Sequence, residues 1–336
     1  MYHSRLKGNH YEVGYHYGQL LLKNNKKISN QPTFIITNQK RIFADKCLSL
    51  YQKYYPEICQ EIKGLSDGQQ IPYEDMYTFL FSMYCFELHN KCTCFAFSIE
   101  NTIGLGRNSD FLVELEKLYM NCLYRCEGVY AFTGNTTAFI EMEDGVNEYG
   151  LAIGLTFVYP KIIKPGFNAG MLVRYLLEKC KNTKEAISVL KKLPIASSQT
   201  LTIVDHEGSM AIVECNCNQV IVIEKKGNEN FVVTTNHFNS HEMKKDRKVE
   251  IDDWYSDLRY STAYQSLKKY NHSLSIEIAE NILKGKYGFM CQYDRKAGAD
   301  TVWSVIYDVK NFQILRVEGN PSRKKYKEDQ RFQFLK

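Results

Sequence analysis

The apolar positions along the chain change their period once, near residue 90. Before that point Glu12, Val13, Tyr17 and Leu20 to Leu22 recur at helical spacing. Ile42 to Tyr54 does likewise, and Tyr73 to Leu88 carries an amphipathic aromatic stripe, so residues 1 to about 90 read as helical. Pro56 and the turn-rich SDGQQIP at 66–72 punctuate these pieces. From Cys92 onward CTCFAFSI, TIGLG, VYAFTG, AFIEM and GLAIGLTFV are short β-type runs broken by Asn, Gly and Asp. Helices are predicted over 169–180 and 183–193, the second capped by Thr183, and again over 256–270 leading into SIEIAENILKG. LTIVD, AIVEC, VIVIE and FVVTT, and later VWSVIYD and FQILRV, read as strands. Strands in runs with helices inserted in pairs predict a layered α+β fold rather than an alternating, doubly wound one. The terminal RKKYKEDQR reads as a solvated tail.

Composition narrows the function classes. The 44% hydrophobic and 24% charged fractions exclude a disordered or fibrous chain. The net charge of +5 is small and not gathered into a stripe, so no nucleic-acid partner is expected. No run approaches the ~20 apolar residues of a membrane span, and the opening MYHSRLKGNH lacks the apolar core of a secretory signal. Eleven cysteines include no Cys-x-x-Cys pair: Cys92/Cys94 and Cys215/Cys217 are spaced Cys-x-Cys, and no His cluster flanks them. No metal site is therefore expected, and the reading is a cytoplasmic protein with free thiols. Oligomeric state stays open, a homo-oligomer included.

Common catalytic motifs are absent: no phosphate loop, no His-Glu-x-x-His, no Gly-x-Ser-x-Gly. GLGRNS at 104–109 lacks the third glycine of a dinucleotide loop. What remains is a scattered set, Cys92-Thr93, Arg107 to Asp110, Asn147 to Leu151, Thr235 to Phe238 and Ser256 to Arg259. A turn at Glu100-Asn101 makes the first two a hairpin that returns Arg107 and Asp110 toward Cys92. A thiol beside a cation and an anchored carboxylate is the environment of a nucleophile, while an Arg107–Asp110 salt bridge in a turn is the plain alternative.

Together these elements resemble a family. KCTCFAF followed by GLGRNSDF resembles the Cys-Thr start and Gly-Arg-Asn-x-Asp element of the choloylglycine hydrolase and penicillin acyltransferase superfamily. DGVNEYGLAIGLTF, TTNHF, SDLR and TVWSVIYD with VEGNPS are similar to its later elements, in matching order. GNHYEVGYHYGQLL resembles the opening of the acyl-coenzyme A:6-aminopenicillanate acyltransferase-like branch.

The resemblance implies an N-terminal-nucleophile hydrolase, a four-layer αββα sandwich preceded by a helical pro-segment. Self-cleavage between Lys91 and Cys92 is implied, giving a 1–91 fragment and a 92–336 fragment. The freed α-amine of Cys92 then serves as the base, since its reference pKa is about 7.7–8.0. By resemblance Asp110 orients that amine, Arg107 and Arg259 favour the thiolate, and Asn236 donates to the oxyanion with the backbone N–H of Thr156. The substrate implied is a small linear acyl amide, cleaved through an acyl-thioester with no metal or redox cofactor. Water as acceptor gives hydrolysis; transfer would admit an acyl-coenzyme A donor.

Three positions depart from the pattern. Lys91 stands where relatives commonly have Gly, Thr156 where choloylglycine hydrolases have Asn, and Cys94 where many relatives have a small residue. The ordinary roles of the remaining residues are structural: Asn147 and Gly150 in a hairpin turn, His237 packed or hydrogen-bonded, Ser256 a helix cap. Two further functional readings are an unprocessed Cys92–His237 thiol hydrolase and a non-catalytic ligand-binding protein of the same fold.

Overall fold

The computed structural model describes residues 2–86 and 91–331; Leu88, the predicted end of the aromatic stripe, lies outside them. Eight strands form one sheet in the order β1 (Tyr2–Gly8), β4 (Met120–Cys126), β5 (Phe132–Thr136), β6 (Asp144–Asn147), β7 (Ala152–Phe157), β8 (Gln199–Val204), β9 (Met210–Cys215) and β10 (Val220–Glu224). Six form a second, in the order β11 (Phe231–Thr234), β2 (Lys91–Ile99), β3 (Thr102–Leu112), β12 (Ala299–Asp308), β13 (Gln313–Glu318) and β14 (Lys327–Glu328). The helices are α1 (His10–Lys23), α2 (Asn38–Tyr54), α3 (Pro56–Gln69), α4 (Tyr73–Ser82), α5 (Ala169–Lys179), α6 (Thr183–Leu190), α7 (His241–Lys244), α8 (Ser256–Lys269) and α9 (Ile276–Leu283).

Three apolar clusters define the layers. Val13, Tyr51, Ile62 and Leu80 of α1–α4, with Leu172 and Leu176 of α5, pack on Tyr124, Ile153 and Leu201 of the first sheet. Cys94, Leu105 and Val305 meet Ala152, Val204 and Ile212 between the sheets. Phe95, Phe97 and Ile306 pack against Leu267 of α8 and Ile282 of α9. Helix, sheet, sheet, helix is the αββα sandwich that the family resemblance implies. The alternation of β2 drives it, because successive side chains point to opposite faces and both faces are apolar. The glycines of GLG also find their use here. Gly104 and Gly106 lie opposite Phe97 and Phe95, and a Cβ on either would sit 2.8 or 2.7 Å from the facing ring.

Several local expectations are corrected. The chain begins with a strand, not a helix: β1 pairs in parallel with β4, from Tyr2↔Met120 to Gly8↔Cys126. SDGQ at 66–69 is no turn but the last turn of α3. Gly64 and Gly68 let α3 approach Gly14 and Gly18 of α1 backbone to backbone; a Cβ on Gly64 would lie 2.0 Å from the Tyr11 carbonyl oxygen. AFIEM at 138–142 forms no strand, and Phe139 sits at φ +60°. The cap of α6 is Asn182, whose side chain accepts from the Glu185 N–H, with Thr183 one position inside. The basic end is folded: β14 pairs with β13, Tyr326 OH bonds Ser304 Oγ at 2.5 Å, and Arg331 is tied to Asp329.

A buried ionic network joins the first helices to α5. Arg174 donates to Glu61 at 2.7 Å and to Glu178 at 2.6 Å, while Glu178 also accepts from Tyr55 OH at 2.5 Å and meets His10 Nε2 at 3.2 Å. Burial alone would raise Glu178, but Arg174, His10 and Tyr55 carry its carboxyl down to about 2. His10, Glu61 and Cys126 also bring their donor atoms within 4.8 Å of one another. His10 and Glu61 are already paired with Glu178 and Arg174, so a cation there would compete with two ion pairs.

Candidate active site

The β2–β3 hairpin sets the register Lys91↔Asp110, Cys92↔Ser109 and Cys94↔Arg107. Alternation then sends Cys92 and Arg107 toward the first sheet, and Lys91, Thr93 and Asp110 toward the start of α8. The Cys92 sulfur is fully buried and accepts from Arg107 Nη2 at 2.8 Å. Arg107 is fixed by its other donors: Nη1 to Asp144 at 2.8 Å, Nε to the Leu155 carbonyl at 2.9 Å, and Nη2 also within 3.4 Å of Glu143. Burial pushes the Cys92 thiol up to about 12 in the uncut chain, with Arg107 pulling against it.

Arg259 approaches from the first turn of α8 and engages all five of its N–H groups. Nη1 donates to the Cys92 carbonyl at 2.5 Å and to Thr93 Oγ1 at 3.0 Å. Nη2 donates to Asn236 Oδ1 at 2.8 Å and the Asp253 carbonyl at 3.0 Å, and Nε to the Trp254 carbonyl at 2.9 Å. It contacts the Cys92 backbone rather than the sulfur. Asn236, just past β11, accepts the Cys92 N–H on Oδ1 at 2.9 Å and donates one Nδ2 proton to the Phe157 carbonyl at 2.8 Å. Asp110 accepts from Thr301 Oγ1 at 2.6 Å and Tyr293 OH at 2.9 Å, and lies 3.9 Å from Arg259. Burial raises its carboxyl to about 6, against the pull of Arg259.

Thr156 is the predicted residue that stays outside this cluster. Its hydroxyl bonds Thr200 of β8. Leu155 uses its N–H toward Glu143 and its carbonyl toward Arg107, on the β6 side. Backbone groups of consecutive strand residues alternate direction, so the N–H of Thr156 faces β8. Lys91 is buried with Nζ on Tyr159 OH at 2.8 Å.

Sequence reasoning gave no role to Glu143 or Asp144, which lie where the AFIEM run meets the DGVNEYGLAIGLTF element. Both are buried; Asp144 also accepts from Trp303 Nε1 at 2.9 Å and Tyr307 OH at 2.6 Å, and Glu143 from Ser109 Oγ at 3.1 Å. Their signal was Arg107 itself, since a buried guanidinium needs carboxylates. Ser256 is not a cap: its hydroxyl accepts from the Asn236 N–H at 2.9 Å and contacts His237 Nδ1 at 2.8 Å. His237 therefore braces the Asn236 loop, and burial with help from Arg247 lowers it to about 4. Cys94 lies in the inter-sheet core under Gly154. Asn147 closes the β6–β7 hairpin through the N–H groups of Tyr149 and Leu151 and also holds the end of α5.

An apolar cleft, open to solvent, lies beside the end of β3, lined by Phe79 of α4, Met83 and Tyr84 just after it, and Phe111, Leu115 and Phe139 from the remainder. The Tyr84 hydroxyl is buried and pushed up by burial, with the charges of Glu143, Glu141 and Cys92 adding to the effect.

The family described as acyl-coenzyme A:6-aminopenicillanic acid acyl-transferase matches residues 99–323, two-thirds of the chain. Among solved structures, the chain is similar to an N-acylethanolamine-hydrolyzing acid amidase ortholog from Caenorhabditis elegans: 18% identity, 65% of this chain and 93% of that one, TM-score 0.48. It is also similar to a penicillin V acylase from Agrobacterium tumefaciens (18%, 68% and 83%, TM-score 0.45). A conjugated bile acid hydrolase from Clostridium perfringens is a third (12%, 67% and 89%, TM-score 0.45). No curated protein sequence matches the chain.

Proposed function

The chain belongs to the acyl-coenzyme A:6-aminopenicillanic acid acyl-transferase family, and on that premise we propose that it is a self-processing cysteine amidase or acyltransferase. It acts on a linear, non-peptide C–N amide through an acyl-thioester on Cys92. One observation carries this reading: the Cys92 sulfur lies 2.8 Å from the Arg107 guanidinium while the Cys92 nitrogen lies 2.9 Å from Asn236 Oδ1. Nucleophile and scissile nitrogen are thus each held by a separate side chain.

In the first reaction the Cys92 thiol adds to the Lys91 carbonyl, the C–N bond breaks, and the nitrogen takes the proton to become the α-amine. Water then cleaves the resulting thioester, leaving a carboxylate on Lys91 and separating fragments 1–91 and 92–336. In the second reaction the α-amine accepts the thiol proton, the thiolate attacks the substrate carbonyl, and that proton passes to the leaving amine. Water or an acceptor amine resolves the acyl-thioester; in transfer, an acyl-coenzyme A is a candidate donor.

Arg107 stabilises the thiolate, Asp110 anchors the α-amine, and Arg259 fixes the Cys92 carbonyl and Asn236. The second Nδ2 proton of Asn236 is the oxyanion donor, in place of the Thr156 N–H. The apolar cleft beside Tyr84 receives the apolar part of the substrate. A cytoplasmic location suits eleven free thiols; among the described residues no helix is long and apolar enough to cross a membrane.

Intact mass spectrometry of the purified protein and of Cys92→Ala tests the proposal. The expected result is two fragments for the native chain, and for the variant one species near 39.1 kDa that is idle on acyl amides. Two fragments from Cys92→Ala would overturn it.

A further inference from the structure

Lys91 is only 3% exposed, although lysine is almost never fully buried without a partner. Its Nζ donates to Tyr159 OH and lies 4.7 Å from the centre of the Tyr159 ring and 5.6 Å from that of Trp254. Both distances fall within the ~6 Å reach of a cation–π contact. Asp252 and Asp253 add negative charge around the ammonium, although burial still draws the amine down to about 8.

This surround is built, not incidental. Trp254 and Tyr255 stand at φ +52° and +60°, a backbone region that non-glycine residues hold only where the surrounding structure imposes it. Arg259 holds the bend through the Asp253 and Trp254 carbonyls with the same guanidinium that holds the Cys92 carbonyl. Trp254 also packs 5.5 Å from Tyr293, the residue that donates to Asp110. One side chain therefore fixes the Trp254 wall of the cage and the Cys92 backbone relative to each other.

We infer that the Tyr159–Trp254 cage is a recognition subsite for a primary ammonium on the acyl side of the substrate, filled by Lys91 before the cut and by an aminoacyl amide after it. The inference rests on Cys92 cutting at Lys91, as proposed above. The same sulfur attacks both carbonyls, so a bound acyl group leaves the sulfur along the path the Lys91 side chain takes. A 6-aminohexanoyl group places its ammonium as many bonds from the carbonyl as lysine does.

The test uses the processed protein with two coumarin amides of equal length, 6-aminohexanoyl- and heptanoyl-7-amido-4-methylcoumarin. The expected kcat/KM for the amino substrate is at least about tenfold higher, the scale of a desolvated cation–π contact. That ratio should fall toward one in Tyr159→Leu and in Trp254→Leu, which remove the rings. Equal turnover of the two amides by native protein would overturn the subsite while leaving the Cys92 reaction intact. An uncut chain that hydrolyses neither would remove both. If the processed chain turns over neither, binding decides: pentylamine should quench Trp254 emission at lower concentration than pentanol, and equal quenching overturns the inference.

Discussion

Asn236 Oδ1 accepts the N–H of Cys92 at 2.9 Å, and that nitrogen is the one released if the chain cuts itself. The same amide group holds the Phe157 carbonyl on its other side and is itself gripped by Arg259. Its orientation is thereby assigned, since a flipped amide would set oxygen against oxygen at Phe157. Asn236→Ala is expected to slow self-cleavage and to lower kcat by about 10²–10³, the usual cost of losing an oxyanion donor. A gel time course of cleavage and steady-state kinetics measure the two effects. Native rates in both would take Asn236 out of the reacting centre.

Arg107 lowers the thiol pKa against the effect of burial. In Arg107→Lys the charge stays but the fork that meets Cys92, Asp144 and Leu155 together is lost. The rate of Cys92 alkylation by iodoacetamide should then rise at higher pH than in the native protein. An unmoved profile would mean that the guanidinium does not tune the sulfur.

The attachment of the first helices should depend on pH in two directions. Glu178 titrates near 2 when folded, against an ordinary 4.5, so its contribution is present above about 4.5 and is lost as pH falls toward 2. His10 is raised above its ordinary 6.5 because Glu178 outweighs burial. Its contribution is complete below 6.5 and disappears as pH rises through the folded value. Melting temperature should therefore be highest between about 4.5 and 6.5 as far as this pair is concerned. His10→Gln should flatten the upper limb and shrink the lower one, because His10 also helps to hold Glu178 down.

Gly64→Ala puts a methyl 2.0 Å from the Tyr11 carbonyl oxygen. Backbone cannot yield there without parting α1 from α3, so a loss of about 1–3 kcal/mol is expected. Urea unfolding of native and variant protein measures it; equal midpoints would show that the helices have room to separate.

The layered fold was legible because short β-type runs follow one another from Cys92 onward and the helices come in pairs between them. The Cys92–Arg107–Asp110 grouping was legible because it is one hairpin. Arg259 and Asn236 came from resemblance alone, since nothing near 236 or 259 announces a partner at 92. β1 was hidden because its partner lies more than a hundred residues away and its own pattern is half polar. The end of α3 was hidden because Ser66, Asp67 and Gly68 are turn residues by habit, and only the facing helix reveals why small side chains are needed. The Lys91 cage was illegible because its walls, Tyr159 and Trp254, come from separate loops.

The residues that surround Cys92 arrive from positions 107, 236 and 259, and the strand that opens the chain waits for residues 120–126. Such long-range pairings form late, after loops of many residues have closed. A nascent chain emerging from the ribosome thus carries its sulfur for well over a hundred residues before Arg259 can reach it. Breakage of the bond at 91/92 would then date the moment at which assembly is finished, and the length of the fragments would serve as a stamp that a given molecule had folded.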